Sequence, residues 1–323
     1  MRKATLSGLA ILSALVLLSS PAFSWNFATH AYIANHIGKT LPLQNFNEIY
    51  GIMAPDLYNF NFSLMNDQTL YSYTHGLPQP GGENFLKVWK KAKWGFASPA
   101  AFGYVAHNDV WGADFTAHHM AQSMPLGKGY IIFLAEMLRD QLGGAGLWDQ
   151  IGQLLGGPVP EEDKMTFCEN IVEYAGDILI KRKDPRIGFK IMTACVLRSP
   201  EFPRVLEEAF PPGYNVRSAE KEYRRLMALY GGMLMQDDEN AIIASMAEQV
   251  ADLTIEFIKS TKGIDLSAYT LLFQGICKDA IGGALLLCEG ANYMGEIGAT
   301  ITFVRNQLLA HDIVYRMWSF RRF

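Results

Sequence analysis

The sequence predicts an all-α fold built from many helices. Apolar residues recur at helical spacing in several segments, so that one face of each helix can be buried. Two such stripes are Ile131, Leu134, Met137, Leu138 and Leu142, and Ile171, Ala175, Ile178 and Leu179. Sustained apolar–polar alternation between hairpin turns, which would indicate strands, is missing from the sequence. Glycine and proline punctuate the stripes, as at residues 143–146, 156–160 and 211–213.

The first 24 residues have the layout of a secretory signal peptide. Arg2 and Lys3 precede an apolar run, and residues 22–24 supply small residues at the −3 and −1 positions of a cleavage site. We therefore expect an exported protein, in the periplasm or outside the cell, whose chain begins at Trp25. Cleavage would leave 299 of the 323 residues and move the net charge from −4 to −6.

Length and charge indicate one exported helical domain. We expect a single domain over residues 25–323, with a metal-site part at about 25–210 and a C-terminal helical region at about 214–323. The mildly acidic charge disfavours a broad nucleic-acid surface. The longest apolar candidate for a membrane span after the signal peptide, residues 280–287, is short and contains two glycines.

The four cysteines indicate structural roles. Cys168, Cys195, Cys277 and Cys288 have no C-x-x-C spacing, which excludes a zinc ribbon. If one unbroken helix carries Cys277 and Cys288, their backbones lie about 16 Å apart and no disulfide can join them. An exported chain can form disulfides, so the pairing stays open.

Histidines concentrate in one short segment, where three of the seven fall within thirteen residues. On one straight helix, His107, Asp114 and His118 would share a face. Asp114 and His118 are then one turn apart and could bind one metal ion or two neighbouring ions. His107 would lie about 16 Å from His118 unless Gly112 breaks the helix and shortens that distance.

Further residues of ligand type lie upstream. The free amine and carbonyl of a processed Trp25 can chelate a metal, because such an amine has an accessible neutral form. His30 follows five residues later, just inside a helix that Thr29 would cap. Asp56 follows a proline in a turn-like segment, and His75 precedes a glycine.

The order of these residues resembles the zinc-dependent phospholipase C and S1/P1 nuclease superfamily. The Trp-x4-His-x2-Ile-Ala start is similar to the S1/P1-type nucleases. The Pro-Asp and Thr-His-Gly elements resemble the bacterial phospholipase C-like branch and the catalytic domain of glycosylphosphatidylinositol-specific phospholipase D. The resemblance covers about residues 25–180 and implies a multi-helix bundle of this type with a metal cluster in a cleft.

The resemblance also implies two or three zinc ions. The implied ligands are Asp56, His75 and His107 for one ion, Trp25 and His30 for a second, Asp114 as the bridge between these two, and His118 with Glu173 for a third. We expect Asp56 to have a catalytic role as well.

Two features depart from the family pattern. His107 and Asp114 are seven residues apart where the family has four, so the bridge falls to Asp114 or to Asp109. Glu169 stands where the third zinc site has a histidine, and Thr166-x-x-Glu169 is also typical of a helix-capping box.

The chemistry implied is hydrolysis of a phosphate ester by zinc-activated water. The sequence contains no G-x-S-x-G, P-loop or dinucleotide motif. We favour a phospholipase C-like activity on a phospholipid, with transient contact to a membrane surface; the oligomeric state stays open. The aromatic residues in segment 58–62 could contact lipid, or could stack bases in a single-strand nuclease. A non-catalytic zinc-binding envelope protein is the third alternative.

Overall fold

A computed structural model describes residues 25–38, 41–60, 67–77, 79–92 and 95–314. The structure is 75 % helical with fifteen α-helices and no strand among these residues, which confirms the all-α prediction. The predicted signal peptide lies outside the described residues.

The helices are numbered here in chain order. The first eight are α1 Phe27–Ile37, α2 Pro42–Met53, α3 Gln68–Thr74, α4 Leu86–Ala92, α5 Ser98–His107, α6 Ala113–His118, α7 Tyr130–Gly144 and α8 Leu147–Leu155. The others are α9 Glu161–Lys183, α10 Ile187–Leu197, α11 Phe202–Ala209, α12 Val216–Met233, α13 Glu239–Lys262, α14 Thr270–Gly290 and α15 Tyr293–Ala310. Short 3-10 helices span Ala54–Phe60 and Ser267–Tyr269.

Helix α9 is the central helix of the fold. It packs against α1, α7 and α14, and every residue from Cys168 to Ile180 is buried. A helix that is buried on all sides usually carries apolar residues all round. This helix instead places Glu169, Glu173 and Asp177 in the core. Each buried carboxylate therefore needs hydrogen-bond donors, a proton or a cation beside it.

Helix α1 is also largely buried. It begins earlier than the sequence predicted. The side chain of Asn26 accepts a hydrogen bond from the Phe27 amide at 2.8 Å and caps the helix. Thr29, the predicted cap, lies inside the first turn, and its hydroxyl donates to Asp177 at 2.8 Å. The prediction was wrong because a carboxylate from another helix takes the Thr29 hydroxyl.

The single helix considered for residues 107–118 is wrong, because the chain turns between α5 and α6. The side chain of Asn108 accepts from the amides of Val110 and Trp111 at 2.9 and 2.8 Å and holds this turn. Gly112 then precedes α6 with an extended backbone. The turn folds α6 back over the end of α5, which brings Asp114 next to His107.

The C-terminal region packs onto the metal-site part. The Pro-Pro-Gly segment at 211–213 does separate α11 from α12, but one hydrophobic core includes residues from both sides. The Tyr223 hydroxyl on α12 donates to the Met53 carbonyl at 2.6 Å, and the Tyr230 hydroxyl donates to Asp177 at 2.8 Å. Helix α12 therefore helps to position residues of the N-terminal part.

Helix α14 bears on two of the predictions. Cys277 and Cys288 both lie on it, so they do not pair, and all four cysteines are buried free thiols. The stretch Ser267–Gly290 is long and apolar enough to cross a membrane by length and composition, although 39 % of its window is buried in the protein. The apolar stretch is longer than the 280–287 segment expected from the sequence, because the helix continues through the two glycines that were expected to interrupt it.

The apolar stripes predicted from sequence are mostly buried. All four residues of the stripe on α9 are in the core. On α7, Leu142 is only partly buried and Met137 is 41 % exposed. Met137 lies at the border of the helix face, where spacing alone does not decide burial.

We expect Gly112→Ala to destabilise the protein by about 2 kcal/mol, because overpacking next to rigid backbone is costly. A methyl group there would lie 2.5, 2.6 and 2.7 Å from the carbonyl oxygens of Asn108, His107 and Ala106. Gly298→Ala on α15 is the matched control: its methyl group would meet open space, so a gain of about 0.5–1 kcal/mol is expected. Urea unfolding measures both, and equal stabilities for the two variants would contradict the close approach at the turn.

Candidate metal centre

Five predicted metal ligands meet in one cluster in the core. They are His30, Asp56, His75, His107 and Asp114, and none is more than 5 % exposed. Each lies near an end of a helical segment, where the backbone can direct a side chain across to a neighbouring element. Two sets of three, His30–Asp56–His107 and His75–His107–Asp114, have ligand atoms within 4.8 Å of one another. The sequence predicted the cluster in a cleft; the structure buries these five side chains.

Asp114 lies at the centre of the cluster. Its Oδ1 is 3.3 Å from Nε2 of His30, while its Oδ2 is 2.8 Å from Nε2 of His107 and 3.9 Å from Nε2 of His75. The two oxygens thus face different histidines, which is the arrangement of a carboxylate that bridges two cations. Of the two bridging candidates, Asp114 rather than Asp109 occupies this position.

His107 is oriented by its outer nitrogen. Nδ1 lies 2.8 Å from the Ile52 carbonyl oxygen, which can only accept, so Nδ1 carries the proton and donates. In a neutral ring Nε2 then has the lone pair. Nε2 faces carboxylate oxygens at 2.8 Å in Asp114 and 3.5 Å in Asp56. A lone pair and carboxylates repel one another at this distance unless a proton or a cation lies between them.

Several polar atoms of the cluster are left without ordinary hydrogen bonds. Within the described part of the chain, Nε2 of His107 and both carboxylate oxygens of Asp114 are fully buried and have no hydrogen-bond partner of good geometry. Buried polar atoms are rarely left this way, because desolvation without compensation costs free energy. Convergent nitrogen and oxygen atoms with this deficit fit a bound metal cation.

The protonation of the metal-free cluster follows from its charges. Burial lowers the pKa of His30 well below its ordinary value, and the neighbouring His107 and His75 lower it further. Burial also disfavours protonation of His107, but the charges of Asp114 and Asp56 outweigh it and raise its pKa. The histidine closest to the carboxylates therefore takes the proton when metal is absent.

Asp56 and His75 are held by aromatic and hydroxyl neighbours. Asp56 lies on the first 3-10 helix, with Oδ1 3.4 Å from Nε2 of His75 and Oδ2 3.5 Å from the Tyr223 hydroxyl. The His75 ring stacks on Tyr71 at 4.8 Å with an interplanar angle of 8°. Its Nδ1 is 2.9 Å from the Thr74 hydroxyl, so Nε2 faces the cluster.

His118 is placed differently from the prediction. Its Nδ1 is 3.1 Å from Oδ1 of Asp109, and His119 contacts the other oxygen of Asp109 at 3.0 Å. The Tyr71 hydroxyl also donates to Asp109, at 3.1 Å. Burial opposes protonation of His118, but Asp109 outweighs it and raises the pKa of His118 to about 9. His118 thus lies beside the five-residue cluster, in a pair that the sequence did not predict.

Two buried glutamates on α9, Glu169 and Glu173, extend the site. Burial raises the pKa of Glu169 to about 7. Burial also raises the pKa of Glu173 well above its ordinary value, with added repulsion from Glu169 and Asp56. One carboxylate oxygen of Glu173 is buried without a hydrogen-bond partner in the described residues. The capping-box interpretation of Glu169 is wrong, since α9 begins five residues before Thr166.

Trp25 is anchored next to the cluster. It is 1 % exposed, and its indole Nε1 donates to the Ala113 carbonyl at 2.8 Å. Its ring packs edge-on against Tyr293, with centroids 5.6 Å apart. The side chain therefore rests on the first turn of α6, next to Asp114.

Comparison with family models, with curated proteins and with solved structures finds no match for this chain. The class of site is therefore defined by its own geometry: buried histidine and aspartate groups that can hold a metal ion.

We expect the stability of the metal-free protein to fall as the pH rises through about 9. The pKa of His118 is raised from 6.5 to about 9 in the folded state, so its stabilising pair with Asp109 is complete below pH 6.5 and lost as His118 deprotonates. The contribution is at most about 3 kcal/mol. Urea unfolding with a chelator at pH 6.5 and pH 10 measures it, with Asp109→Asn as the control. The same pH dependence in both proteins would contradict the assignment.

Proposed function

We propose that this chain is an exported, zinc-dependent phosphoester hydrolase of the phospholipase C type. The observation that carries the proposal is Asp114, whose two buried oxygens face different histidines. Imidazole and carboxylate are the ligand types that zinc takes in hydrolytic sites. The resemblance of the ordered ligands to the phospholipase C and S1/P1 nuclease superfamily supports the same reading.

Two ligand sets account for the cluster. Asp56, His75 and His107 would hold one ion, and His30 would hold a second together with the amine and carbonyl of a processed Trp25. Asp114 would contact both ions, since one of its oxygens faces His30 and the other faces His107 and His75. The anchored indole of Trp25, next to Asp114, supports its place in the second set.

A third set lies towards α9. His118 and Glu173 are its proposed members, and the charges of Glu169 and Asp114 both act on His118. In the metal-free structure His118 pairs with Asp109. Binding of a third ion would therefore have to displace that pair, so two ions are the better supported number.

Bound zinc would supply acidified water and stabilise negative charge on the phosphoryl oxygens. The side chains of this protein would supply orientation and proton transfer. Asp56 is the proposed catalytic residue: its Oδ1 faces His75 and His107 and would accept a proton from the attacking water. The Tyr223 hydroxyl donates to the Met53 carbonyl at 2.6 Å and lies 3.5 Å from the other oxygen of Asp56.

We propose a phospholipid as the substrate rather than a nucleic acid. The Pro-Asp and Thr-His-Gly elements resemble the phospholipase-like branch, and the acidic net charge, −4 for the full sequence and −6 after the predicted cleavage, disfavours a polyanionic substrate. The aromatic segment 58–62 offers less surface than expected: Tyr58 is buried, with edge-on contacts to Tyr71 and His75, and the end of the segment lies outside the described residues. His119, which contacts Asp109 beside the cluster, is 47 % exposed, so we propose that substrate enters on that side.

We expect the protein to bind zinc. Asp114→Asn should weaken zinc binding at least about tenfold, because the substitution removes the negative charge that both ligand sets share. Asp109→Asn is the control, since it alters the rejected bridging candidate and should retain zinc in the cluster. Metal content after dialysis and the zinc-dependent rise in melting temperature measure both. Equal loss in the two variants would contradict the central role of Asp114.

We expect the zinc-loaded protein to hydrolyse a phosphocholine ester. Asp56→Asn should lower kcat by about 100-fold or more, because the proposed proton acceptor is lost. Activity should disappear with a chelator and return with zinc. Single-stranded DNA is assayed in parallel. Cleavage of DNA alone would favour the nuclease alternative, and bound zinc without turnover of either substrate would favour the non-catalytic envelope protein.

A further inference from the structure

Asp177 is a buried carboxylate outside the metal cluster. It is 0 % exposed, and no ion pair of the described residues includes it. It accepts four hydrogen bonds, each 2.8 Å long. Oδ1 accepts from the amide and the hydroxyl of Thr29, and Oδ2 accepts from the Ala28 amide and the Tyr230 hydroxyl. All the accepting positions of the carboxylate are thereby used.

The two amides belong to the first turn of α1. Amides in a first turn have no partner within their own helix, and the positive end of the helix dipole favours an anion there. The His30 amide is the next in the chain and already bonds back to the Asn26 carbonyl at 3.0 Å. Asp177 therefore caps α1 from another helix, directly before the residue that reaches the metal cluster.

Other side chains hold the same segment in place. The Thr29 hydroxyl lies 2.9 Å from the Tyr293 hydroxyl, and the Asn26 side chain donates to the Tyr230 hydroxyl at 3.3 Å. Gly176 permits this approach, because a methyl group there would lie 2.2 Å from the Tyr293 hydroxyl. Residues from α9, α12 and α15 thus converge on residues 26–29.

A contribution to stability alone does not explain why a carboxylate is buried at this position. Burying a carboxylate without a cation is expensive, and an apolar pair of similar volume would fill the same space at lower cost. The four donors compensate for that cost, and three of them come from residues 28 and 29. What the carboxylate secures is the exact position of the start of α1.

We propose that Asp177 is the positioning residue that docks the first turn of α1 and thereby sets His30 against Asp114. The distance concerned is 3.3 Å between Nε2 of His30 and Oδ1 of Asp114. A displacement of α1 by about 1 Å would spoil a metal site, since ligand geometry has to be held to a fraction of an ångström. The metal-binding part of this inference rests on the proposed function, whereas the docking of α1 does not.

The test is Asp177→Asn, which keeps the size of the side chain but turns one acceptor into a donor that faces other donors. We expect hydrogen exchange at the Ala28 and Thr29 amides to accelerate at least about tenfold. We also expect cobalt(II) affinity to fall about 10- to 100-fold, with a changed visible absorption spectrum of the bound cobalt. Tyr230→Phe removes one of the four donors and should give smaller changes of the same kind. It provides the test if the asparagine variant fails to fold.

Glu296→Gln is the matched control. Glu296 is likewise 0 % exposed and accepts hydrogen bonds from two backbone amides, those of Gln122 and Ser123, at 2.8 and 2.7 Å. This variant should lose stability but keep the cobalt spectrum and the slow exchange at Ala28 and Thr29.

The outcomes separate the two proposals. A wild-type protein that binds neither zinc nor cobalt would remove the proposed function, and the exchange rates would still decide the docking role. Unchanged exchange and an unchanged cobalt spectrum in Asp177→Asn and Tyr230→Phe would overturn the role of Asp177. Equal changes in these readouts for Glu296→Gln would overturn it as well, since they would indicate a general loss of stability.

Discussion

The structure depends on keeping the Asp114 carboxylate in a fully buried position among three histidines. A buried carboxylate needs hydrogen-bond donors, a proton or a cation at its oxygens. The start of α1, the end of α3 and the end of α5 each bring one imidazole nitrogen to within 3.9 Å of Asp114. The packing of the N-terminal half is therefore organised around one carboxylate.

Helix α9 shows how burial gives different properties to the same kind of side chain. Glu169, Glu173 and Asp177 follow one another at intervals of four residues, so they lie along one face. Asp177 has four donors, whereas Glu173 has a buried oxygen without a hydrogen-bond partner in the described residues. Protein donors satisfy Asp177, whereas Glu173 requires a proton or a cation, in agreement with its raised pKa.

Residue types and their order were enough to predict the helical class and the five clustered side chains. They were not enough to choose between Asp109 and Asp114, because that choice depends on a turn held by the Asn108 side chain. The spacing of Thr166 and Glu169 matched a helix start, but the helix begins earlier and both residues lie inside it. Local patterns identified the candidates, and long-range packing decided which of them meet.

The hydrogen bonds of Thr29 also have a consequence for the order of folding. Its partners Asp177 and Tyr293 lie 148 and 264 residues further along the chain. Contacts so distant in sequence form late, because a long loop has to close first. Helix α1 precedes the other described helices in the chain, yet it has no docking place until α9, α12 and α15 have assembled. Completion of the cluster therefore reports that nearly the whole chain has folded.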